Sequence, residues 1–390
     1  MKFEKDRCMK RFSVIGIMIL LALVFASCGQ STPPATVSQP TTAVTKAAPQ
    51  QQTWEVEWQK TVEAAKQEGR ITLYTTAGPQ IRDAFTKAMK DKYGLEMEYV
   101  TGRGVEIITK MLNERRAKLY LGDAYMAGAT SAIDSLVPEG VIDSMNGELV
   151  LPEVTDTSKW MNNKLPWVDQ AHRFLGFRGS PFWSYTRNTD LVKAEDVASY
   201  KDLLKPAFKG KIAMGDPTIT GASNSFVAVV SLYLLNRDYI RQLVAQEPIL
   251  SRDERQVTEW VARGKYSVLI GTTPDPITEF MKAGAPLQPM VAKEGTMIEP
   301  GAGTMSLMNG RPHPNATRLF LNWLLSKEGQ TVYAQAAGTE SAREDVPKTF
   351  AGGGLVREPG KQYIFGDEEF RAKGSQAVKE SQEDFKPLLK

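Results

Sequence analysis

The chain has 390 residues, of which 42% are hydrophobic and 24% are charged, and it contains 48 basic residues, 45 acidic residues and two cysteines. A chain of this length can bury a large hydrophobic core and is expected to fold as more than one lobe or domain. The small excess of basic residues excludes the strongly basic surface that a nucleic-acid-binding protein presents to phosphates.

The first 27 residues have the composition of an export signal. Five basic residues lie within residues 2–11, and an almost wholly apolar run from Phe12 to Ala26 follows them. A basic start, an apolar run and small residues before a cleavage site are typical of a secretory signal peptide. The run is shorter than the roughly 20 residues that span a membrane comfortably. We therefore predict a signal peptide over residues 1–27, with a marginal membrane anchor as the alternative.

The end of this segment predicts a lipid anchor. Residues 25–28, Phe-Ala-Ser-Cys, resemble a bacterial lipobox, in which the cysteine becomes the lipidated first residue of the mature protein. Cys28 is therefore the predicted lipidation site, and an ordinary signal peptide with an incidental cysteine is the alternative. Because Cys8 is removed with the signal, no disulfide is expected in the mature protein.

Residues 28–53 are predicted to form a disordered tether between a membrane and the folded body. This stretch is rich in Ser, Thr, Pro, Ala and Gln and cannot bury a core. Beyond residue 27 the chain holds 43 basic and 43 acidic residues, so the basic excess belongs to the signal peptide. Nucleic acid is therefore not an expected partner.

Strands and helices alternate through the first part of the folded body, which is predicted to begin at residue 54. Helices are predicted over 55–69, 80–93 and 105–118, and strands over 71–74, 95–100 and 121–126. This alternation predicts an α/β fold with a mainly parallel sheet, and ligands of such folds bind outside the carboxyl ends of the strands. The candidate ligand-binding residues at those ends are Thr75, Thr76, Gly78, Arg103, Thr130 and Ser131.

The most informative stretch lies in the middle of the chain, over residues 209–235. A short apolar strand (212–214) leads into a loop of small residues (218–223), and a long apolar helix is predicted to continue to about residue 235. The free backbone N–H groups at the start of a helix attract an anionic or oxygen-rich group. The candidates here are Thr220, Gly221, Ala222 and Ser223; ordinary helix capping is the alternative interpretation.

Other candidates lie on either side of this stretch. Trp183 and Tyr185 belong to a predicted extended segment and are expected to wall a cleft or to pack in a core. Thr272 follows a predicted strand over 266–270. Arg103 could complete an anion clamp, because a guanidinium pairs well with phosphate or carboxylate, or could be a solvated loop residue. Glu299, in a predicted bend over 294–303, could meet a cationic group.

Three sequence segments, in this order along the chain, resemble those of a known family: RNTDLV (187–192), YKDLLKPAFKGKIAMGDP (200–217) and HPNATRLFLNWLLSKEGQ (313–330). They are similar to the bacterial extracellular solute-binding proteins, and more narrowly to the ferric-iron branch of the periplasmic binding proteins of ABC transporters. The resemblance implies a type II fold, with two α/β lobes, a central ligand cleft and two hinge crossovers. It implies that lobe 1 comprises residues 54–181 and 291–390, and that lobe 2 comprises residues 182–290.

The function implied by the resemblance is transport. A monomeric, lipid-anchored protein facing the periplasm or the exterior would capture a small solute and deliver it to an ABC transporter permease, with no cofactor. The loop hydroxyls and Arg103 favour an organic or inorganic oxyanion, or a metal held with an anion. Ferric iron is an alternative ligand. Its ligand set would be non-standard, because residues 271–275 lack the tyrosine pair of iron-binding members.

Three further interpretations remain open at this point. A cationic polyamine is a weaker alternative ligand, because the predicted cleft loops carry few acidic residues. A sensor that feeds a signalling protein would have the same fold and site and a different partner. An exported enzyme is not expected, because the sequence has neither the Gly-x-Ser-x-Gly nor the His-Glu-x-x-His motif.

Overall fold

The structure is a computed structural model that describes residues 53–219, 221–350 and 356–389. The predicted signal peptide, Cys28 and the tether up to residue 52 lie outside these ranges, as does Thr220. Among the described helices, none combines the length and the apolar character that crossing a membrane requires.

The described residues form twelve α-helices and thirteen strands. The helices are α1 (Thr53–Glu68), α2 (Pro79–Tyr93), α3 (Gly104–Arg116), α4 (Ala129–Ser135), α5 (Pro152–Thr155), α6 (Ala222–Val229), α7 (Arg237–Val244), α8 (Glu254–Ala262), α9 (Pro274–Lys282), α10 (Pro314–Leu325), α11 (Lys327–Ala337) and α12 (Glu368–Phe385). The strands are β1 (Arg70–Thr75), β2 (Glu96–Thr101), β3 (Ala124–Met126), β4 (Ile142–Asp143), β5 (Leu175–Gly176), β6 (Tyr185–Asn188), β7 (Ile212–Gly215), β8 (Ile249–Ser251), β9 (Val268–Ile270), β10 (Leu287–Met290), β11 (Gly295–Ile298), β12 (Thr304–Met308) and β13 (Gln362–Phe365).

Single helical turns complete the described secondary structure. The 3-10 turns are Thr157–Lys159, Met161–Asn163, Ala194–Val197, Tyr200–Leu204, Pro206–Phe208, Lys348–Phe350 and Lys386–Leu388. A π-helical turn, Val230–Leu234, follows α6 directly.

The first sheet has the strand order β2-β1-β3-β12-β4, and β5 also pairs with β12. Strand β1 runs parallel to β2 and β3, whereas β12 runs antiparallel to β3 and β5. Its helices close over a large core, in which the rings of Phe85 and Phe320 lie 5.5 Å apart and those of Phe85 and Trp323 lie 5.8 Å apart. Aromatic side chains of α2 and α10 therefore pack together in the core that covers this sheet.

The second sheet has the order β10-β6-β9-β7-β8. Strands β7, β8 and β9 are parallel, and β6 runs antiparallel to β9. Its core is built around Tyr200, whose ring contacts Phe226 at 5.8 Å and Tyr239 at 6.2 Å between centroids. The hydroxyl of Tyr239 donates to the carbonyl oxygen of Tyr200 at 2.9 Å, so this buried polar group is satisfied.

The chain passes between the two sheets twice. It leaves the first sheet after Gly176 and enters the second at Tyr185, and it returns between Met290 and Thr304. Two α/β lobes joined by two crossovers are therefore present. The limits of the lobes, predicted at residues 181 and 290, stay a prediction.

The end of the described chain adds a further link between the lobes. Strand β13 pairs in parallel with β11 on the returning crossover, and α12 then lies against α6 and α7 beside the second sheet. The close approach of β11 and β13 depends on Gly295, whose φ is +112° and at which a β-carbon would overlap the carbonyl oxygen of Gln362. In the predicted division, α12 therefore contacts lobe 2 although residues 291–390 were assigned to lobe 1.

Candidate functional site

The facing edges of the two sheets enclose a cavity of about 410 Å³. Because β5 runs antiparallel to β12, and therefore in the direction of β1 and β3, the residues that follow β5 emerge at the carboxyl edge of the first sheet. Arg178 lies there. Trp183, just before β6, and Pro274, just after β9, lie at the corresponding edge of the second sheet and line the same cavity. This is the position at which open α/β sheets bind ligands.

Arg178 is the cation of this cavity. Its side chain is half-buried, and its Nε donates to Thr339 Oγ1 at 3.2 Å. Among the described residues no carboxylate forms an ion pair with Arg178, and its two terminal nitrogens have no protein acceptor. A guanidinium with a free planar fork is suited to a carboxylate or phosphate group.

Tyr333 lies beside Arg178 in the cavity wall. Its side chain is only 3% exposed, and its ring packs edge-on against Phe177 with 4.7 Å between centroids. Its hydroxyl has no hydrogen-bond partner within the described part of the chain. Burial raises the pKa of Tyr333 to about 12, while the charge of Arg178 opposes that rise, so the phenol is protonated at neutral pH and can donate.

The backbone at Gly303 approaches both of these side chains closely. A β-carbon at this position would lie 2.5 Å from Cβ of Arg178 and 2.9 Å from the hydroxyl of Tyr333. Any larger residue would therefore push the two side chains out of place. Glycine at this point keeps the guanidinium and the phenol together on the wall.

Two hydroxyls complete the polar wall near Arg178. Ser180 Oγ and Thr339 Oγ1 lie 2.6 Å apart, and the backbone N–H of Glu340 donates to Ser180 Oγ at 2.9 Å. The Glu340 side chain is 1% exposed and accepts from Arg357 Nε at 2.9 Å. The segment that carries Thr339 is thus held by a buried ion pair, which fixes the wall before any ligand arrives.

Glu299 connects the cavity to a second, smaller one of about 220 Å³. The Glu299 side chain is exposed to this space and forms no ion pair among the described residues. The protein around it displaces part of its hydration and raises the pKa of the carboxyl, although the charge of Arg178 acts in the opposite direction. Thr304 also lines the smaller cavity; it is 1% exposed, and its Oγ1 has no hydrogen-bond partner among the described residues.

Three of the residues predicted from the sequence line these two cavities. Trp183 lies in the wall of the larger cavity, and Thr130 and Ser131, at the start of α4, line the smaller one. The structure therefore brings together residues of both lobes that the sequence analysis selected separately.

Four other predicted residues have their polar groups engaged elsewhere. Thr75 Oγ1 donates to the carbonyl oxygen of Met126 at 2.7 Å, and Ser223 Oγ donates to that of Gly271 at 2.7 Å. The hydroxyl of Tyr185 donates to a backbone carbonyl in the core of the second lobe. Arg103 is 87% exposed at the N-terminus of α3, where it pairs with Glu106. None of these four side chains lines either cavity.

The remaining predicted residues lie near the strand ends but outside the linings of both cavities. They are Thr76, Gly78, Gly221, Ala222 and Thr272. Thr272 is 5% exposed, and its hydroxyl has no hydrogen-bond partner in the part of the chain that the structure describes.

The sequence analysis missed Arg178, Tyr333 and Thr304. Arg178 carried one signal: it is a lone charge between apolar residues in the segment FLGFRGSPF, which spans 174–182. Tyr333 and Thr304 carried none, because their positions in the cavity linings depend on contacts with distant segments.

Metal-binding groups of the usual kind are not assembled in the described ranges. No cluster of three or more His, Cys, Asp or Glu side chains there could hold a metal ion. Two tyrosines of the first sheet have their hydroxyls engaged: Tyr74 donates to Glu114 at 2.6 Å and Tyr125 donates to the carbonyl oxygen of Gly128 at 3.2 Å. Among the described side chains that line the larger cavity, those of Tyr333 and Glu299 have oxygen atoms with no hydrogen-bond partner.

Two comparisons of the sequence with known proteins give matches over most of the folded body. The family model for bacterial extracellular solute-binding proteins matches residues 80–352. A Haemophilus influenzae protein described as uncharacterized is 24% identical over 274 residues, which cover 68% of this chain and 76% of the relative.

Solved structures show the same fold. Ferric iron-binding protein A of Mannheimia haemolytica, in an open conformation, superposes with a TM-score of 0.59 at 12% identity, covering 82% of this chain and 98% of the other. IdiA (FutA) of Trichodesmium, in complex with iron and citrate, gives 0.57 at 15% identity, covering 82% and 99%. An ABC transporter protein of Clostridium perfringens gives 0.59 at 16% identity, covering 82% and 100%. The predicted fold class, the type II fold of periplasmic binding proteins, is confirmed.

Proposed function

Because the chain belongs to the bacterial extracellular solute-binding proteins, we propose that it captures a small oxyanion, or a metal held with an anion, and delivers it to the permease of an ABC transporter. The proposed binding site is the cavity between the two sheets. The observation that carries the proposal is Arg178, a half-buried cation in that cavity with no acidic partner among the described residues.

The groups around Arg178 support an anionic ligand. The protonated hydroxyl of Tyr333 can donate a hydrogen bond into this region. Ser180 and Thr339 share one hydroxyl proton between them, so one of these two hydroxyls is left to donate as well. Hydrogen bonds that involve a charged group are shorter and roughly twice as strong as those between neutral groups. An oxyanion would therefore satisfy Arg178 and two hydroxyls at once.

The second lobe contributes a different kind of surface. Trp183 and Pro274 present apolar side chains to the cavity, opposite the polar wall. Closure of the two lobes by a hinge motion would bring these side chains over a bound solute and exclude water. A drier site strengthens every electrostatic contact within it.

Ferric iron held with an anion is the second candidate. Tyr333 and Glu299 supply two oxygen ligands, and Arg178 would hold the accompanying anion. Two side chains are too few to saturate the ion, so the anion and water would complete the coordination.

Two measurements on the lipid-free mature chain test both candidates. Native mass spectrometry with elemental analysis would identify a bound metal, and a thermal-shift screen would compare phosphonates, phosphate esters, carboxylates, ferric citrate and polyamines. A ligand at a hundredfold excess over its dissociation constant stabilises the folded state by about 2.7 kcal/mol. We expect stabilisation by organic oxyanions. Stabilisation only by polyamines would contradict the proposal, and co-purified iron would favour the second candidate.

We further propose that a lipid on Cys28 anchors the protein to a membrane, on the basis of the sequence Phe-Ala-Ser-Cys at residues 25–28. The Cys28→Ser variant is expected to move from the membrane fraction to the soluble envelope or medium fraction, because it lacks the thiol that would carry the lipid anchor. Western blotting of fractionated cells measures this. The matched variant Cys8→Ser should remain in the membrane fraction. Retention of Cys28→Ser in that fraction would show that the apolar run itself is the anchor.

A further inference from the structure

The larger cavity has an apolar side, which Trp183 and Pro274 form at the edge of the second sheet. Strands β6 and β9 are antiparallel neighbours, with Thr186 opposite Leu269. Continuing this register brings Trp183 close to Thr272, two residues before Pro274. The tryptophan and the proline are therefore neighbours and present one apolar surface to the cavity.

The ring of Trp183 has no partner of its own. It is half-buried and packs against the core cluster that includes Ile277 of α9. In the same cluster, the ring of Trp260 lies 5.9 Å from that of Tyr266, and the ammonium of Lys265 lies over it at 5.0 Å. Among the described residues, neither an aromatic ring nor a cation lies against Trp183 in this way. An aromatic ring at a cavity wall without such a partner is available to a ligand.

The backbone on both sides of Trp183 is held by the returning crossover. The N–H of Phe182 donates to the carbonyl oxygen of Met297 at 2.8 Å, and the N–H of Ser184 donates to that of Met290 at 2.9 Å. The tryptophan is thus fixed where the two lobes meet. A surface that is already ordered loses little conformational entropy when a solute packs on it.

The cavity is larger than a bare oxyanion needs. Its volume of about 410 Å³ lies in the range of about 300–1,000 Å³ that is usual for sites of small organic molecules. A water molecule takes up about 30 Å³ of the liquid, and a tetrahedral oxyanion is only a few water molecules in size. Such an ion, bound at Arg178, would leave Trp183 and Pro274 facing water. An apolar group attached to it would release that water and gain free energy in proportion to the apolar area covered.

We propose that the solute is an organic oxyanion that carries an uncharged, ring-sized apolar group, with the oxyanion bound at Arg178 and the ring packed on Trp183 and Pro274. This inference rests on the proposed function and names the class of solute that the same site takes. Glu299 also lines the cavity and forms no ion pair among the described residues. It would repel a further negative charge on the solute, so an uncharged body is favoured over a polycarboxylate.

Paired probes that share an oxyanion and differ in the apolar group test the inference. Isothermal titration of the lipid-free mature chain would compare phenylphosphonate with methylphosphonate, and phenylacetate with acetate. We expect the ring-bearing member of each pair to bind about tenfold or more tightly, because a packed ring covers a large apolar area.

Three variants identify the surface that the ring contacts. In Trp183→Ala the ring advantage should fall to about threefold or less, and in Trp183→Phe, which keeps an aromatic face, it should remain about fivefold or more. Trp260→Ala is the matched control. It removes another half-buried tryptophan from the same core cluster, but one that lies outside the linings of both cavities, so the full ring advantage should persist.

The outcomes separate this inference from the proposed function. Equal binding of both members in each pair by the parent chain would overturn the ring assignment and leave the oxyanion proposal standing, and this comparison needs no variant to fold. Binding of none of the probes, while another oxyanion of the screen stabilises the chain, would also overturn this inference alone. Binding of no oxyanion at all would overturn both. A ring advantage that survives in Trp183→Ala, or that Trp260→Ala lowers equally, would overturn the assignment of the ring to Trp183.

Discussion

Replacing Arg178 with alanine is expected to weaken oxyanion binding about 100-fold or more, because the change removes the one cation that the described residues place in the cavity, together with its free guanidinium fork. Truncating one partner of a desolvated charge pair typically costs a large part of the binding free energy, since the other charge is left buried and unpaired. Isothermal titration with the anion found in the thermal-shift screen measures the loss.

Arg103→Ala is the matched control for this change. Arg103 is also an arginine near a strand end of the first lobe, but it is 87% exposed and pairs with Glu106 in its own helical turn. Its replacement should leave affinity within about twofold of the parent value, because a solvated surface pair contributes little. Arg178→Lys should recover part of the loss, since it restores the charge without the planar fork. Equal affinity in Arg178→Ala and the parent, with unchanged melting temperature, would refute the site.

Arg343→Ala is expected to lower the free energy of unfolding by about 3–5 kcal/mol, because Arg343 is a buried charge with several partners. Its side chain is 1% exposed and lies over the ring of Trp160 at 5.4 Å. It donates to Asp345 through both Nε and Nη2 at 2.9 Å, and to the carbonyl oxygens of Glu153 and Leu325 at 3.0 Å. Alanine would leave all of these acceptors without a donor. Urea denaturation measures the change.

Arg263→Ala serves as the control for stability. Arg263 is 76% exposed and, within the described ranges, pairs only with Glu259, one turn earlier on α8, so its loss should cost less than about 1 kcal/mol. If Arg343→Ala unfolded at the same urea concentration as Arg263→Ala, the buried network would contribute nothing to stability.

The same network has a defined pH dependence. Burial opposes ionisation of Asp345, but Arg343 outweighs it and lowers the pKa of that carboxyl below its usual 3.8. A carboxyl whose pKa is lower in the folded state than in the unfolded state stabilises the fold above the unfolded pKa. That stabilisation is lost as the pH falls through the folded value, so in Arg343→Ala the stability difference from the parent should shrink in strong acid.

Much of the fold follows from local sequence patterns. The helices predicted over 55–69 and 80–93 are observed as Thr53–Glu68 and Pro79–Tyr93, each followed by a glycine. Glycine after the helix and an apolar stripe along it supply these bounds without help from the rest of the chain. The alternation of strands and helices likewise predicts the parallel core of both sheets.

Other elements depend on tertiary contacts and were predicted less well. The helix predicted to run to residue 235 ends as α-helix at Val229 and continues as a π-helical turn. The strand Ile249–Ser251, which lies between α7 and α8 and pairs with β7, was not predicted. A three-residue edge strand has too little pattern of its own to be recognised in a sequence.

The candidate site, like the fold, could be predicted from the sequence only in part. The general position, at the carboxyl ends of the strands, follows from the topology, and Trp183, Thr130 and Ser131 were selected on that ground. Which hydroxyls remain free is a different matter, because that depends on which backbone carbonyl lies within reach after folding. Thr75 finds such an acceptor and Thr304 does not. The environment of Arg178 is set by Thr339, which lies 161 residues later in the chain.

The uneven composition of the cavity wall has a kinetic consequence. The polar groups of the larger cavity come from residues 178–180, 299–303 and 333–339, while the second sheet's side contributes Trp183 and Pro274. In the proposed function, a solute can therefore make its specific contacts with one lobe while the molecule is still open. Capture would then come before closure, so the association rate would depend on collision with the open lobe. The residence time of the solute would be set by how often the lobes reopen.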